Sequence, residues 1–309
     1  MKALRVHKFG GPDALVIDEL PIPSPGPGEL LVRVAAAGVG PWDALIREGK
    51  SKVSPPPPLT LGSDLSGVVH AVGPEVAGFE VGEQVYGVTN PQFCGACAEY
   101  AVASVDMISK KPRRLSHIEA ASVPVVAVTA WQMLFDYAHV VPGQRILILG
   151  AAGNVGAYVV QLAARAGVHL LAMAGSRDMD PVRSSGAESL MDYKTGRFED
   201  SVAPVDAVID TVGGEIRDRA FRTLKPGGIL VSVVSTDLLP ERSDVRAVFF
   251  YVDVTTARLD NIGGLLDRGE LVTHVGTVLP LEKARAAHEM LAGAPHKPGK
   301  IVLSIWDGH

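Results

Sequence analysis

The spacing of apolar and polar residues changes along the chain near residue 124. From Arg145 onward, short apolar runs alternate with stretches of helical periodicity, a pattern typical of β-α-β units around a mainly parallel sheet. The predicted strands of this region are Arg145–Leu149, Val168–Ala174, Glu188–Met191, Asp206–Asp210, Gly228–Val234 and Ala247–Val252. These strands favour an α/β protein with a doubly wound, six-stranded parallel sheet that binds a dinucleotide.

Two helices are predicted between these strands. They cover Val155–Ala166 and Glu215–Leu224. The second ends at Lys225-Pro226-Gly227-Gly228, which we interpret as a helix stop followed by a turn. Both helices fit the crossover connections that parallel strands need.

The first 124 residues have a different pattern. Short strands such as Leu30–Ala37 and Val68–Val72 are separated by turns rich in proline and glycine, which predicts an antiparallel β domain. After residue 270 only an amphipathic helix, Glu282–Leu291, and a closing strand, Lys300–Ile305, are predicted, too little for a separate domain. We therefore predict a discontinuous β domain of residues 1–124 and 271–309, and a dinucleotide-binding domain of residues 125–270.

The composition narrows the class of protein. With 29 Lys and Arg against 34 Asp and Glu, the formal net charge is −5, so neither nucleic acid nor an anionic membrane is an expected partner. The uncharged stretch between Arg145 and Arg165 nominally reaches the length of a membrane span, but its glycines and Asn154 predict a strand, a turn and a helix instead. Met1–Gly10 lacks the apolar core of a secretory signal, so a cytoplasmic location is expected.

A glycine-rich turn is predicted between the strand Arg145–Leu149 and the helix after it. Its spacing, Ala151-x-Gly153-x-x-Gly156, is one glycine short of the full dinucleotide fingerprint. Gly153 would let the backbone approach a pyrophosphate, and Gly156 would let the helix pack closely on the strand. An ordinary strand-to-helix turn remains the alternative for the triplet taken alone.

The end of the next strand bears on the choice of cofactor. Enzymes that use NAD usually carry an acidic residue there, which binds the 2′-hydroxyl of the ribose. Here Ala174 is followed by Gly175, Ser176 and Arg177, and a hydroxyl with a guanidinium suits a 2′-phosphate. The sequence therefore predicts NADPH. The alternative is that Ser176 caps the following helix and that Arg177 is a solvated surface charge.

Three sequence features bear on metal or nucleophilic chemistry. Cys94 and Cys97 have the spacing of half a zinc site, but the chain has only 2 cysteines and structural zinc needs four ligands. We interpret the pair as structural, with a redox pair as the alternative. The 9 histidines form no metal-binding spacing, and no Gly-x-Ser-x-Gly elbow is present.

Several short motifs, in this order and spacing, resemble the zinc-independent quinone oxidoreductases of the medium-chain dehydrogenase/reductase superfamily. They are Gly62-Ser-Asp-Leu-Ser-Gly67, Val81-Gly-Glu-Gln-Val-Tyr-Gly87, Ala98-Glu-Tyr-Ala101, Val128-Thr-Ala-Trp131, Gly150 to Gly156, Val208 to Gly214 and Gly299-Lys-Ile-Val-Leu303. The resemblance covers nearly the whole chain. It implies a GroES-like β domain and a Rossmann domain, with the nicotinamide in the cleft between them and a homodimer as the family's usual assembly.

The resemblance also implies the site residues, matched position by position. Thr129 would lie near the phosphate on the nicotinamide side, and the pyrophosphate turn would comprise Ala152, Gly153, Asn154, Val155 and Gly156. The 2′-phosphate would be held by Ser176, Arg177 and Tyr193. The nicotinamide ribose and carboxamide would be lined by Val212, Ser232, Val233, Phe250 and Val252, and the substrate pocket by Gly40, Trp42, Asp43 and Tyr251.

Departures from the family pattern concern the substrate end. Zinc-dependent relatives place a cysteine ligand within residues 37–43, and Gly-His-Glu where this chain has Gly62-Ser63-Asp64, so both ligand positions are lost and a zinc alcohol dehydrogenase is disfavoured. Many zinc-free relatives carry asparagine where this chain has Gly40. Leu45 replaces a lysine that is common in alkenal reductases.

The function that the resemblance implies is zinc-free hydride transfer from NADPH to a quinone or a similar activated conjugated carbonyl. The alternatives are a reductase of enoyl or alkenal double bonds and a non-catalytic NADPH-binding protein. Because the segment of residues 40–47 offers no acid unless Asp43 is buried, the proton is expected to come from water, ordered by Asp43 or Arg47.

Overall fold

The structure is a computed structural model that describes residues 1–192, 197–238 and 242–306, with Arg177 described by its backbone alone. The strands are β1 (Lys2–Val6), β2 (Leu15–Glu19), β3 (Glu29–Val39), β4 (Leu59–Thr60), β5 (Asp64–Val72), β6 (Gln84–Val88), β7 (Tyr100–Ser104), β8 (Ile108–Lys110), β9 (Arg145–Leu149), β10 (His169–Ala174), β11 (Ser189–Asp192), β12 (Val205–Asp210), β13 (Leu224–Ser232), β14 (Arg246–Phe249), β15 (Val275–Pro280) and β16 (Lys300–Ser304).

The helices are α1 (Pro41–Arg47), α2 (His117–Ala121), α3 (Pro124–Trp131), α4 (Asn154–Arg165), α5 (Met179–Ser184), α6 (Phe198–Ser201), α7 (Gly214–Ala220), α8 (Thr256–Asp267) and α9 (Ala284–Leu291). A π-helical turn, Gln132–Tyr137, continues α3. No helix among the described residues has both the length and the apolar character needed to cross a membrane.

The chain forms two units, one comprising Met1–Val125 with Val254–His309 and the other Val126–Asp253. The second boundary lies before α8, whereas the sequence predicted it after residue 270. The reason is that α8 packs on the β domain. Tyr86 donates its hydroxyl to the Leu259 carbonyl at 2.6 Å, and Thr256 Oγ1 lies 2.9 and 2.8 Å from the carbonyls of Val105 and Ile108.

The second unit contains a six-stranded sheet in the order β11-β10-β9-β12-β13-β14, and every pairing in it is parallel. This confirms the predicted doubly wound α/β fold. Residues 146–149 of the central strand β9 are fully buried, as expected for a parallel sheet that is covered on both faces. The strand order reverses between β9 and β12, so the carboxyl ends of these two strands meet at the switch point where such sheets bind ligands.

One local prediction in this unit is wrong. Lys225–Gly228 was interpreted as a helix stop and a turn, but these residues lie within β13. The pairing with β12 is interrupted there, since Leu224 pairs with Val205 and Ile229 with Ala207. Gly227 takes a positive φ of 79° and donates its N–H to the Asp244 carbonyl, so the proline and the glycines form a wide bulge in a strand.

The first unit contains a seven-stranded sheet, β15-β16-β3-β5-β6-β8 with β7 also paired to β3, and a smaller sheet, β2-β1-β4. Its pairings are antiparallel, as the sequence predicted, except that β15 pairs with β16 in parallel. The strand β16 from the end of the chain pairs antiparallel with β3, so the tail completes this sheet as expected. The core of the unit contains Leu30, Val32, Leu65 and Leu303, together with Ala287 of α9.

Candidate functional site

The glycine turn lies between β9 and α4, at the carboxyl end of the central strand. Gly150 has a φ of 82°, and a Cβ there would lie 2.5 Å from Thr211 Oγ1. A Cβ at Gly156 would lie 2.1 Å from the Gly150 carbonyl oxygen, so only glycine lets α4 begin this close to the strand. Gly156 therefore has the packing role that the fingerprint assigns to its last glycine, while Gly150, one position before the fingerprint, allows the tight turn after the strand.

Gly153 has a different environment. It is the N-cap of α4 with an extended backbone, and no side chain caps this helix. A Cβ at Gly153 would meet only the Gly150 carbonyl oxygen, at 3.3 Å, and Ala152 beside it is exposed. Asn154 and Val155, in the first turn of α4, are half-buried. A helix N-terminus whose cap residue has no side chain, with open space at that position, fits the pyrophosphate of a dinucleotide.

The carboxyl end of β12 is fixed by the buried carboxylate of Asp210. Its Oδ1 accepts the N–H groups of Val212 and Gly213 at 3.0 and 2.8 Å, and its Oδ2 accepts the Ser232 hydroxyl at 2.6 Å. Ser232 is fully buried, so its hydroxyl positions the neighbouring strand end and does not face a ligand. Val233 donates its N–H to the Asp210 carbonyl, while Val212 is 45% exposed at this edge.

The aromatic residues after β14 separate into buried and exposed members. Phe250 is buried and stacks on Tyr137 with ring centroids 4.3 Å apart. Tyr251 is 59% exposed and meets Phe249 edge-on at 5.1 Å. Of the two aromatic residues assigned by resemblance, Tyr251 therefore offers surface to a ligand and Phe250 supports the segment.

Two buried polar side chains lie along α3 and its π-helical turn. Gln132 accepts the Asp253 N–H on its Oε1 at 2.9 Å and so holds the segment that includes Val252. Thr129 is also buried, one helical turn before Gln132. Gln132 was not singled out from the sequence, although an uncharged polar residue in an otherwise apolar helix is a usable signal.

At the position predicted to bind the adenosine ribose, Ser176 is exposed just beyond the end of β10 and donates its hydroxyl to Oδ2 of Asp192, the last residue of β11. Arg177 lies in a single 3₁₀ turn, Ser176–Asp178, whose N-cap is Gly175, so Ser176 is not the cap of a helix. Tyr193 lies outside the described residues. Asp192 was not singled out from the sequence.

In the β domain, Gly40 is the N-cap of α1, and its N–H donates to Asp43 Oδ2 at 2.8 Å. Trp42 donates its indole N–H to Ser63 Oγ at 2.8 Å. Lys300 Nζ lies 4.1 Å from the centre of the indole ring, a cation–π contact. The predicted pocket residues Gly40, Trp42 and Asp43 are therefore brought together on α1, beside a lysine that the sequence analysis did not identify.

A buried ion pair lies next to this group. Lys300 Nζ donates to Asp64 Oδ2 at 2.9 Å, and Asp64 Oδ1 accepts the Val125 N–H at 3.0 Å. Both side chains are buried. Burial raises the pKa of Asp64, and the charge of Lys300 opposes that rise. The pair needs both partners, because either charge alone would be buried without compensation.

Asp43 is 1% exposed, and its Oδ1 makes no hydrogen bond among the described residues. Burial raises the pKa of Asp43 to about 7, against the opposing effects of the Gly40 N–H and the Lys300 charge. Asp43 is therefore buried, which is the condition under which the segment of residues 40–47 offers an acid. Burial therefore favours the protonated form of Asp43 well above the pH at which an exposed aspartate ionises.

Arg47, at the end of α1, is held by contacts within the domain. Its guanidinium donates to the Gly10 carbonyl at 3.0 Å and to Glu48 at 2.7 Å, and lies 2.8 Å from His288 Nδ1. Burial, and secondarily the Arg47 charge, lower the pKa of His288 to about 4. The expectation that Arg47 orders a water for the substrate stays a prediction; the guanidinium is buried, and its contact with His288 joins α1 to α9.

Cys94 and Cys97 are free thiols. Burial raises the pKa of both thiols, that of Cys97 strongly, so both are protonated and weakly nucleophilic at neutral pH. This supports the structural interpretation of the pair. Among the described ranges, no group of three or more His, Cys, Asp or Glu residues could hold a metal ion.

Comparison with known proteins agrees with this architecture. The family model for the alcohol dehydrogenase GroES-like domain matches residues 26–133, and the one for zinc-binding dehydrogenases matches residues 185–303. The quinone oxidoreductase of Sus scrofa is 30% identical over 99% of this chain and 98% of its own. The structure of the quinone oxidoreductase from Coxiella burnetii has a TM-score of 0.91 at 32% identity, covering 99% of both chains. The CurK enoyl reductase has a TM-score of 0.88 at 26% identity, covering 98% of this chain and 99% of its own.

The fold and these full-length matches define a medium-chain dehydrogenase/reductase, a class of oxidoreductases that use a nicotinamide cofactor. Within that class, the chain belongs to the quinone oxidoreductase family. The resemblance seen in the sequence motifs is thereby confirmed.

Proposed function

We propose that the protein is a zinc-free reductase that transfers hydride from NADPH to a quinone or a similar activated conjugated carbonyl. The observation that carries the proposal is the glycine turn at the switch point of the sheet. There Gly153 and the first turn of α4 are left uncovered beside the packed glycines Gly150 and Gly156. The chain's similarity to proteins named quinone oxidoreductases supports the choice of acceptor.

The residues of the second unit would hold the cofactor along one edge of the sheet. The amino terminus of α4 would bind the pyrophosphate through its N–H groups. The Asp210 carboxylate holds Val212 at the end of β12, where its exposed side chain would form an apolar wall for the nicotinamide. When bound, NADPH supplies the hydride, and the protein contributes orientation and exclusion of water.

Preference for NADPH over NADH rests on Ser176 and Arg177 at the end of β10. A charge-assisted contact to phosphate is worth about 1.5–3 kcal/mol. Arg177→Ala should therefore weaken NADPH binding by about ten- to a hundredfold and leave NADH binding nearly unchanged. An equal loss for both cofactors would refute the assignment.

The absence of a zinc requirement is proposed from the residues at the two ligand positions that zinc-dependent relatives use. Residues 37–43 contain no cysteine, and the Ser63 hydroxyl accepts the Trp42 indole N–H. Activity should therefore survive dialysis against a chelator. Stoichiometric zinc, with activity lost on its removal, would overturn this part of the proposal.

A reductase of conjugated carbon–carbon double bonds is the second candidate, and the state of Asp43 favours it. Saturating an enone requires a proton as well as a hydride, and a carboxyl whose pKa lies near 7 is well matched to donate one. Enone turnover that collapses in Asp43→Asn, with NADPH affinity kept, would select this candidate. Turnover of quinones with none of enones would select the first.

The experiment that tests the proposal as a whole combines NADPH binding with NADPH oxidation by 1,4-benzoquinone. Gly153→Val should abolish both, because its side chain would fill the pyrophosphate space. Gly11→Val is the matched control, since Gly11 is also an N-cap with an extended backbone and nothing lies within 4 Å of its Cβ position. NADPH binding without turnover of any acceptor would instead identify a non-catalytic NADPH-binding protein.

A further inference from the structure

At the ends of β10 and β11, the Asp192 carboxylate lies within hydrogen-bond distance of the Ser176 hydroxyl. This hydroxyl is the one that is expected to contact the cofactor's ribose. These strands are parallel neighbours, and Ala174, the last residue of β10, pairs with Asp192, the last residue of β11. Ser176 lies two residues beyond Ala174 and donates its hydroxyl to Oδ2 of Asp192. The two side chains therefore meet at the carboxyl edge of the sheet, on the side where the adenosine half of a dinucleotide lies.

In dinucleotide-binding sheets, a carboxylate at the end of the second strand accepts the ribose 2′-hydroxyl and disfavours a 2′-phosphate. That strand is β10 in this protein, and its end carries Gly175 and Ser176 but no acidic residue. The carboxylate comes instead from the adjacent strand. The sequence pattern around Ser176 suggested a site for phosphate alone, and the contact with Asp192 changes the local electrostatics.

We propose that Asp192 is a specificity-determining residue that lowers the protein's discrimination between NADPH and NADH. This inference rests on the proposed function, since it requires that a nicotinamide dinucleotide bind along this edge. Asp192 would act in two ways: through its own charge, and through its hold on the Ser176 hydroxyl.

The charge acts against NADPH. A phosphate monoester carries about −1.5 to −2 charges at pH 7, so a nearby carboxylate repels it. For Ser176 to donate to that phosphate, its hydroxyl must leave the Asp192 carboxylate, and hydrogen bonds to charged groups are the stronger ones. Neither cost applies to NADH, whose ribose hydroxyls can donate to the same carboxylate.

Asp192→Asn tests this proposal, because asparagine keeps the shape and an acceptor for Ser176 while removing the charge. The dissociation constants of NADPH and NADH are measured by titrating the purified full-length protein. The ratio of the two constants should shift toward NADPH by about tenfold, equivalent to about 1.4 kcal/mol. Asp192→Ala removes both the charge and the acceptor, and should shift the ratio in the same direction.

Asp180→Asn is the matched control, because it removes one negative charge from the start of α5, where the side chain is 95% exposed and lies 3.8 Å from Arg183. In Asp180→Asn, the ratio of the NADPH and NADH dissociation constants should stay at the wild-type value. An unchanged ratio in both Asp192 variants, or an equal shift in Asp180→Asn, would overturn the inference and leave the proposed function standing. Failure of the wild-type protein to bind either dinucleotide would overturn both together.

Discussion

The indole ring of Trp42 fills the space in which any side chain at position 40 would have to lie. A Cβ at Gly40 would come within 2.3 Å of Trp42 Cη2, and the indole is held in place through the hydroxyl of Ser63. The backbone of Gly40 is extended, with a φ of −140°, so its conformation does not require glycine. The glycine is required by packing, which explains why this chain departs from relatives that carry asparagine there.

Gly40→Asn should lower the free energy of unfolding by about 1–3 kcal/mol, the usual cost of overpacking. Urea denaturation measures it. In a protein that already carries Trp42→Thr, adding Gly40→Asn should cost much less free energy of unfolding, because the competing ring is gone. Gly11→Asn is the control for introducing the same side chain where space is open. Equal losses at positions 40 and 11 would contradict this account.

Lys300→Met should destabilise the β domain by about 3–5 kcal/mol, since it leaves the Asp64 carboxylate buried without its partner. The double variant Lys300→Met with Asp64→Asn should recover part of that loss. The exposed pair Lys2–Glu282 has the same N–O distance of 2.9 Å, and Lys2→Met should cost less than about 1 kcal/mol. If Lys300→Met and Lys2→Met lowered the free energy of unfolding by similar amounts, burial would not be what determines the cost of losing the lysine.

The elements that could be predicted from the sequence are those with a local signal. The parallel sheet follows from apolar runs separated by helical periodicity, and the glycine turn from its spacing between a strand and a helix. Contacts between distant positions had no such signal. Lys300 meets Asp64 across 236 positions, and its place in β16 shows only as one charge before an apolar strand.

The same limit applies to single side chains at the site. The sequence predicts that Ser176 binds a phosphate, and only the pairing of β10 with β11 shows that its hydroxyl donates a hydrogen bond to Asp192. Ser232 stays a prediction for the wall along the nicotinamide ribose, and only the fold shows that its hydroxyl is turned to Asp210 inside the sheet. Sequence position identified these strand ends as candidates, whereas the direction of each side chain depended on neighbours that only the fold supplies.

Ser232→Ala should weaken cofactor binding through Val212 without removing a direct contact. Asp210 would lose the hydroxyl on Oδ2 and keep the Val212 and Gly213 N–H groups on Oδ1, so the end of β12 should loosen but stay folded. We expect a loss of about 1 kcal/mol, or about fivefold in the NADPH dissociation constant. The exposed Thr236→Ala on the same connection should have no effect. A larger, NADPH-selective loss in Ser232→Ala would indicate a direct contact instead.

Asp43 should make the protein less stable as the pH rises toward neutrality. Its folded-state pKa of about 7 lies above the ordinary value of 3.8, so between these two values the folded protein holds a proton that the unfolded chain has released. Stability from this group is therefore greatest below pH 3.8 and falls through the window up to about pH 7, above which the full cost of a buried charge remains. At about 1.4 kcal/mol per pKa unit, that cost is on the order of a few kcal/mol.

Asp43→Asn should remove this dependence, because asparagine can still accept the Gly40 N–H and never ionises. Urea denaturation of the variant and of the wild-type protein at pH 5 and pH 8 measures the difference. The variant should gain stability relative to the wild-type protein as the pH rises, since the wild-type carboxyl must ionise inside the domain. Asp13→Asn, which removes an exposed carboxylate of the same domain that pairs with Arg285, should leave that difference unchanged. A constant gap between Asp43→Asn and the wild-type protein across this range would mean that Asp43 is already ionised at pH 5, and it would then have no proton to donate to an enone.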